Sequence, residues 1–240
     1  MTFREFLWGG LSYFVRVDTF SEKYGDWLMM LCICGFVLLS AAAGYFCGCF
    51  TTAIVVSKRI YGIDIREKGS LNAGMTNMFR TFGKQAGFLT LAGDAAKTVV
   101  AVLLGYLFWG YNGAWMSGLF CVLGHMFPFC YRFRGGKGVL VTAVLLLLTD
   151  WPVFLLCVAA FAVVLIGTRM VSLASIMSAL VMPLFLDVVH RVIPLEYQIG
   201  SLSFPLAIGI TVLIVFGHKE NMKRIQKGQE PKIRLPWDKK

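Results

Sequence analysis

Seven apolar runs dominate this sequence, at 27–57, 88–109, 113–131, 139–149, 152–168, 171–188 and about 199–217. A bilayer core is crossed by about 20 helical residues, so runs of this length belong in and across a membrane. Only 15% of the residues are charged, against about 25% in soluble domains, which excludes an ordinary soluble fold. The fold class predicted is therefore all-α: a polytopic integral membrane protein of about seven transmembrane helical segments. The 139–149 run is short. It stops at Asp150-Trp151-Pro152, where proline disfavours helix in the residue before it and tryptophan suits an interface. An alternative reading merges 139–168 into one kinked helix or re-entrant pair and changes the parity.

Seven segments separate the charges. Residues 58–87 carry Lys58, Arg59, Arg66, Lys68, Arg80 and Lys84; Arg132, Arg134 and Lys137 follow 113–131; Arg169 and the tail after Gly217 share that side. Arg4, Arg16, Lys23 and Arg191 fall opposite, and Lys97 lies within a run. By the positive-inside rule the N-terminus is outside and the C-terminus cytoplasmic. The net charge of +10 is thus a signal of orientation, not of nucleic-acid binding.

Residues 1–26 lack the apolar core and cleavage site of a signal peptide. Phe3, Leu7, Leu11, Phe14 and Val15 share one helical face, which predicts an extracytoplasmic amphipathic segment ahead of a membrane domain at 27–217. The basic tail 218–240 has Met222 and Ile225 three apart, consistent with a helix on an anionic leaflet. The seven cysteines, Cys32, Cys34, Cys47, Cys49, Cys121, Cys130 and Cys157, form no CxxC or Cys/His pattern. No metal site is expected, and buried thiols acting as small hydrophobes are the default.

The chemistry-bearing residues cluster between the runs. Gly69-Ser-Leu-Asn-Ala-Gly-Met-Thr-Asn77, flanked by Arg66, Lys68 and Arg80, has the composition of a phosphate cradle: glycines let backbone N–H groups converge, Ser, Asn and Thr add neutral donors, and the bases add charge. A polar turn with solvated charges fits the same residues about equally well. Arg132-Phe-Arg-Gly-Gly-Lys137-Gly138 opens a helix with three glycines around a lysine. It is not a Walker A loop, because Tyr131 and Gly138 stand at the first-glycine and hydroxyl positions. A basic membrane-flanking turn is the plainer alternative. His218, Asn221 and Arg224 recur every three residues, and Ser172 and Ser175 share a face beside Arg169. His125 suits a structural hydrogen bond as well as a proton carrier. Asp94 and Lys97 read most simply as a local ion pair.

These residues resemble a known family. Gly48 to Lys58, Gly62-Ile-Asp-Ile-Arg66, the 69–77 run with Arg80 and Gly83, and Gly93-Asp94-x-x-Lys97 are similar to the first motif region of the bacterial acyl-phosphate:glycerol-3-phosphate acyltransferases. Gly124-His125-x-Phe127-Pro128 with Phe133-x-Gly-Gly-Lys-Gly-Val139 resembles the second. Val171-Ser172-Leu173-Ala174-Ser175 and His218-x-x-Asn221-x-x-Arg224-x-x-x-Gly228-x-Glu230 resemble the rest. The likeness spans 44–231.

The resemblance implies an enzyme of the bacterial inner membrane, its site facing the cytoplasm. It would pass a fatty acyl group from acyl phosphate to the sn-1 hydroxyl of glycerol 3-phosphate, without cofactor, metal or nucleic acid. It also implies catalytic positions at Cys49, Lys137, Ser172, His218 and Asn221. Substrate phosphate would be bound at Arg59, Ser70, Asn72, Gly74, Thr76, Asn77, Gly135, Gly136, Gly138 and Ser175. Two departures stand out: Cys49 replaces a serine of the family's reaction centre, and Leu71 replaces a glycine. A thiol is a weaker hydrogen-bond donor than a hydroxyl but a better nucleophile once ionised. A non-enzymatic lipid-phosphate binder or organic-phosphate transporter is the alternative that these departures suggest.

Overall fold

The computed structural model describes residues 9–16, 23–193 and 201–233, and among them there is no strand. Helix α1 (Asp26–Cys49) breaks at Phe50–Thr51 before α2 (Thr52–Tyr61). A short α3 (Met75–Phe82) precedes α4 (Lys84–Met126), and α5 (Val139–Thr149), α6 (Trp151–Thr168) and α7 (Val171–Val192) follow. The described chain closes with α8 (Ser203–Gly217) and α9 (Lys219–Gln226). Of the expected amphipathic N-terminal helix, residues 1–8 and 17–22 lie outside the described residues. Gly10–Ser12 and Tyr13–Arg16 form short helical turns. Gly10 packs against the carbonyls of Tyr106 and Leu107, so this segment docks on protein at the bend of α4.

Among the described residues four stretches are long and apolar enough to cross a membrane, and the bent pair α8 and α9 would make a fifth. One of the four includes α4, which is not one straight rod. Trp109 (φ −140°, ψ 31°) and Gly110 (φ 57°, ψ −144°) leave helical geometry. Gly113 then lies against the Gly105 carbonyl, and Ser117 Oγ donates to the Ala101 carbonyl at 2.7 Å. These contacts step back along the first arm as the second advances, so α4 is an antiparallel hairpin. Its arms correspond to the separate 88–109 and 113–131 runs of the sequence.

Helix α1 packs along the second arm with its glycines at the seam. A Cβ at Gly44 or Gly48 would strike the carbonyl of Ser117 or Cys121, respectively. The four-residue step on both helices makes them parallel, a close approach typical of small residues in membrane helices. The core lies between α4, α5, α7 and α8, around Trp115, Val122, Leu145, Met182 and Ile210. At the Asp150 turn, Pro152 opens α6 in the first turn, where its missing N–H costs nothing. Asp150 accepts hydrogen bonds from Tyr111 Oη (2.8 Å) and Trp115 Nε1 (3.2 Å), and lies 2.8 Å from His190 Nε2. That network places the α5–α6 turn at the level of the α4 bend.

Candidate active site

A cavity of about 630 Å³ opens where the two glycine loops, α7 and the tail meet. Its upper wall carries Ser70, Asn72, Thr76, Arg80, Lys137, His218 and Arg224, while Leu140, Leu146, Phe154, Phe161 and Met182 line its lower part. One space therefore offers a cationic, donor-rich head and an apolar shaft.

The 62–77 loop is held by its own polar groups. Arg66 forms a bidentate pair with Asp64 and donates to the Tyr131 carbonyl at 2.7 Å, fastening this loop to the second one. Hydrogen bonding from Arg66, aided by Lys58, outweighs partial burial and holds the Asp64 carboxyl well below the usual carboxylate range. Asn77 is buried beneath the loop. Its Nδ2 faces the carbonyls of Ile65, Lys68 and Asn72, and its Oδ1 accepts from Ser70 N at 2.9 Å. Leu71 stands at the tip with φ +60° and is 58% exposed, a left-handed conformation costly for a residue with a Cβ.

The second loop folds onto the end of α4. Gly135 N donates to the Met126 carbonyl (3.1 Å) and Gly136 N to the His125 carbonyl (3.0 Å). A Cβ on either glycine would collide with His125, through its carbonyl or its ring. Beneath them Lys97 Nζ sits among Asp94 Oδ1 (3.0 Å), His125 Nδ1 (2.9 Å) and the carbonyls of Gly48 (3.1 Å) and Phe50 (2.7 Å). An ammonium only donates, so Nδ1 of His125 accepts and Nε2 carries the ring hydrogen. This buried cluster ties α1 to both arms of α4.

Across the cavity Lys137 Nζ donates to Asn221 Oδ1 in a short hydrogen bond. Asn221 Nδ2 donates to Glu230 Oε1 at 2.7 Å, as does Ser172 Oγ at 2.7 Å; Arg224 Nε donates to Glu230 Oε2 at 2.9 Å. Burial opposes ionisation of Glu230, but these three donors prevail and lower its pKa. Burial lowers the Lys137 pKa to about 8; Glu230 opposes the shift, and Arg224 and Arg80 add to it. His218 lies 2.8 Å from the Ile214 carbonyl through Nδ1, which must donate, leaving the Nε2 lone pair unprotonated in the neutral ring. Burial, then the nearby Lys137 charge, depress its pKa to about 4.

The family model described as glycerol-3-phosphate acyltransferase matches residues 38–228. The chain belongs to this family. A glycerol-3-phosphate acyltransferase of Coxiella burnetii is 39% identical over 201 residues, covering 82% of this chain and 98% of that one. One of Alkaliphilus metalliredigens is 35% identical over 196 residues, covering 82% and 95%. Among solved structures, the integral membrane glycerol 3-phosphate acyltransferase PlsY (YgiH) in its glycerol 3-phosphate form is similar with a TM-score of 0.73 at 31% identity, covering 82% of this chain and 96% of that one. Its lysophosphatidic acid form gives 0.71 at 30% identity, covering 82% and 95%.

Of the positions that the family likeness singles out, Lys137, Ser172, His218, Asn221, Ser70, Asn72, Gly74, Thr76, Asn77, Gly138 and Ser175 line the cavity. Ser175 also donates to the Val171 carbonyl at 2.9 Å, a local bond within its helix. Four positions are absent from the lining. Cys49 is buried at the end of α1, and Arg59 is exposed on α2. Gly135 and Gly136 use their amides within the protein, so their part is to let the loop pack on His125. Conversely Asp94, Arg224 and Glu230 line the cavity without having been assigned a site role, and Arg80 and His125, read as a base of the cradle and as a structural hydrogen-bonder or proton carrier, line it as well. Their signal was present in the motifs, but spacing along the chain did not reveal that Glu230 folds back onto Ser172.

Proposed function

We propose that this protein transfers a fatty acyl group from acyl phosphate to the sn-1 hydroxyl of glycerol 3-phosphate, giving lysophosphatidate and inorganic phosphate. The observation that carries this reading is the continuity of the cationic head with the apolar shaft in one cavity. A phosphate ester and a fatty acyl chain need both, side by side. The first committed acylation of phospholipid synthesis is the step such a product would serve.

Lys137, Arg80 and Arg224 hold the two phosphates, with Ser70, Asn72, Thr76 and the first turn of α3 adding neutral donors and a positive helix end. Gly74 leaves room for the Asn72 amide, Gly138 takes φ +80° beside Val122, and Asn77 holds the loop in shape. The glycerol oxygen attacks the acyl carbonyl carbon, the carbon–oxygen bond to phosphate breaks, and the electron pair leaves with the phosphate. The hydroxyl proton passes to a substrate phosphate oxygen. Charge grows on the departing phosphate, which is where fixed cations lower the barrier most. His218, whose Nε2 is the acceptor in the neutral ring, positions the glycerol hydroxyl.

Seven crossings fit the helix directions, counting the two arms of α4 separately, with α5 as a short crossing that reaches the level of the bend. The N-terminus is then outside, and the basic loops and tail are cytoplasmic, gathered at the cavity head in a bacterial inner membrane. Purified protein given lauroyl, myristoyl or palmitoyl phosphate with glycerol 3-phosphate should release phosphate and lysophosphatidate one to one with at least one donor. Binding of both substrates without product would overturn the proposal.

A further inference from the structure

The apolar shaft ends at one level on three helices. Along α5 the lining runs to Leu146 and stops; along α7 it stops at Met182; along α6, which runs the other way, it stops at Phe154. Ser178 Oγ donates to the Cys157 carbonyl at 2.8 Å. That bond sets the register of the antiparallel α6 and α7 and, one turn further, brings Phe154 beside Met182. Leu146 and Phe154 flank the Asp150 turn by four residues each, so they share that level too. Leu146 and Met182 are 2% and 1% exposed. They belong to the same buried core as Tyr111 and Trp115, whose hydrogen bonds to Asp150 hold them at the turn.

We propose that Leu146, Phe154 and Met182 form the floor of the acyl shaft and set the chain length of the fatty acyl donor. The inference rests on the acyl-transfer reading and adds its specificity. Ser172, which bonds the Glu230 carboxylate at the head, and Met182 are ten residues apart on α7, about 15 Å at 1.5 Å per helical residue. An extended chain advances about 1.3 Å per carbon, given single bonds of about 1.5 Å. The shaft below the head therefore takes about a dozen carbons, and donors with several more meet the floor.

The test is the ratio of kcat/KM for stearoyl phosphate to that for myristoyl phosphate, with glycerol 3-phosphate as acceptor. A single methylene in an apolar pocket discriminates by about tenfold or more. Phe154→Ala and Met182→Ala deepen the shaft and raise the ratio about tenfold, while the KM for glycerol 3-phosphate stays put. Ala143→Leu, one turn nearer the head, narrows it and lowers the ratio by a similar factor. A ratio within twofold of the parent in active deepened and narrowed variants alike overturns the ruler. Absence of lysophosphatidate from the parent with every donor would sink the acyl-transfer reading, and the ruler with it.

Discussion

Lys137 donates a hydrogen bond to Oδ1 of Asn221, 84 residues further along the chain. It joins the glycine loop ahead of α5 to the tail helix α9 and fixes the ammonium at the cavity head. The amide's other end is held by the Glu230 carboxylate, so the lysine's position depends on the tail being folded back. In the proposed reaction an ammonium so placed is preorganised for a phosphate before substrate arrives.

Replacing Lys137 tests that arrangement most directly. Lys137→Ala should lower kcat/KM for glycerol 3-phosphate by 10³ or more, on the scale of about 4 kcal/mol seen when one strong transition-state donor is removed. Lys137→Arg keeps the charge but not the compact point geometry, and should recover only part. Steady-state rates on protein with unaltered thermal unfolding are the measure. A loss below tenfold in the alanine variant would assign Lys137 to orientation alone.

The depressed Lys137 pKa predicts an alkaline limb. The ammonium is charged below about pH 8 and neutral above it, so kcat/KM should be full below that value and fall as pH rises through it. Bound phosphate stabilises the charged form and should move the limb of kcat upward. Lys137→Arg should remove the limb, since a guanidinium stays protonated. A limb near pH 10 in the parent would contradict the burial that lowers this pKa.

Helix existence was legible in the sequence because apolar runs and their breaks are local. Val139–Thr149 matches the short run read there, and Asp150-Trp151-Pro152 is its stop. The break at Phe50–Thr51 that separates α2 from α1 was missed inside the single 27–57 run, and α3 was missed within the stretch read as a loop, because it is short and polar residues obscure its packing face. The polar head was legible where residue type and function coincide, as at Lys137 and Asn221. It was not legible for Gly136, whose need for no Cβ comes from the His125 ring, or for Lys97, whose partners extend beyond Asp94 to α1 and the far arm of a hairpin.

Glu230 should matter to binding more than to chemistry. Glu230→Ala leaves Ser172, Asn221 and Arg224 without their shared acceptor and frees the tail from the cavity rim. The KM for glycerol 3-phosphate should rise at least tenfold, with faster proteolysis beyond Gln226. Glu230→Gln keeps one acceptor oxygen and should lie between. An unchanged KM together with unchanged cleavage would count against the strut.

Leu71 carries a conformation that its side chain opposes. At φ +60° a residue with a Cβ costs about 1–2 kcal/mol, and the exposed side chain offers little packing in return. Leu71→Gly removes that cost but gains unfolded-state entropy of about 0.5–1 kcal/mol. The net should be a stabilisation of up to about 1.5 kcal/mol, read as a small rise in Tm in detergent. A drop of more than a few degrees would mean that Leu71 makes a contact, with lipid or protein, that outweighs the strain.

Cys49 decides between direct transfer and an acyl-enzyme. It is 4% exposed at the end of α1 and is not among the cavity-lining residues, so a thioester would require the chain end to move. Direct transfer predicts that Cys49→Ser keeps or raises kcat/KM, because a hydroxyl of similar size is the better hydrogen-bond donor. Covalent catalysis predicts a loss of at least 100-fold and a thioester trapped on the parent after acid quench. Mass spectrometry of the quenched protein, with acyl phosphate alone and then with both substrates, separates the two: in direct transfer the cysteine mass is unmodified under both conditions while lysophosphatidate accumulates.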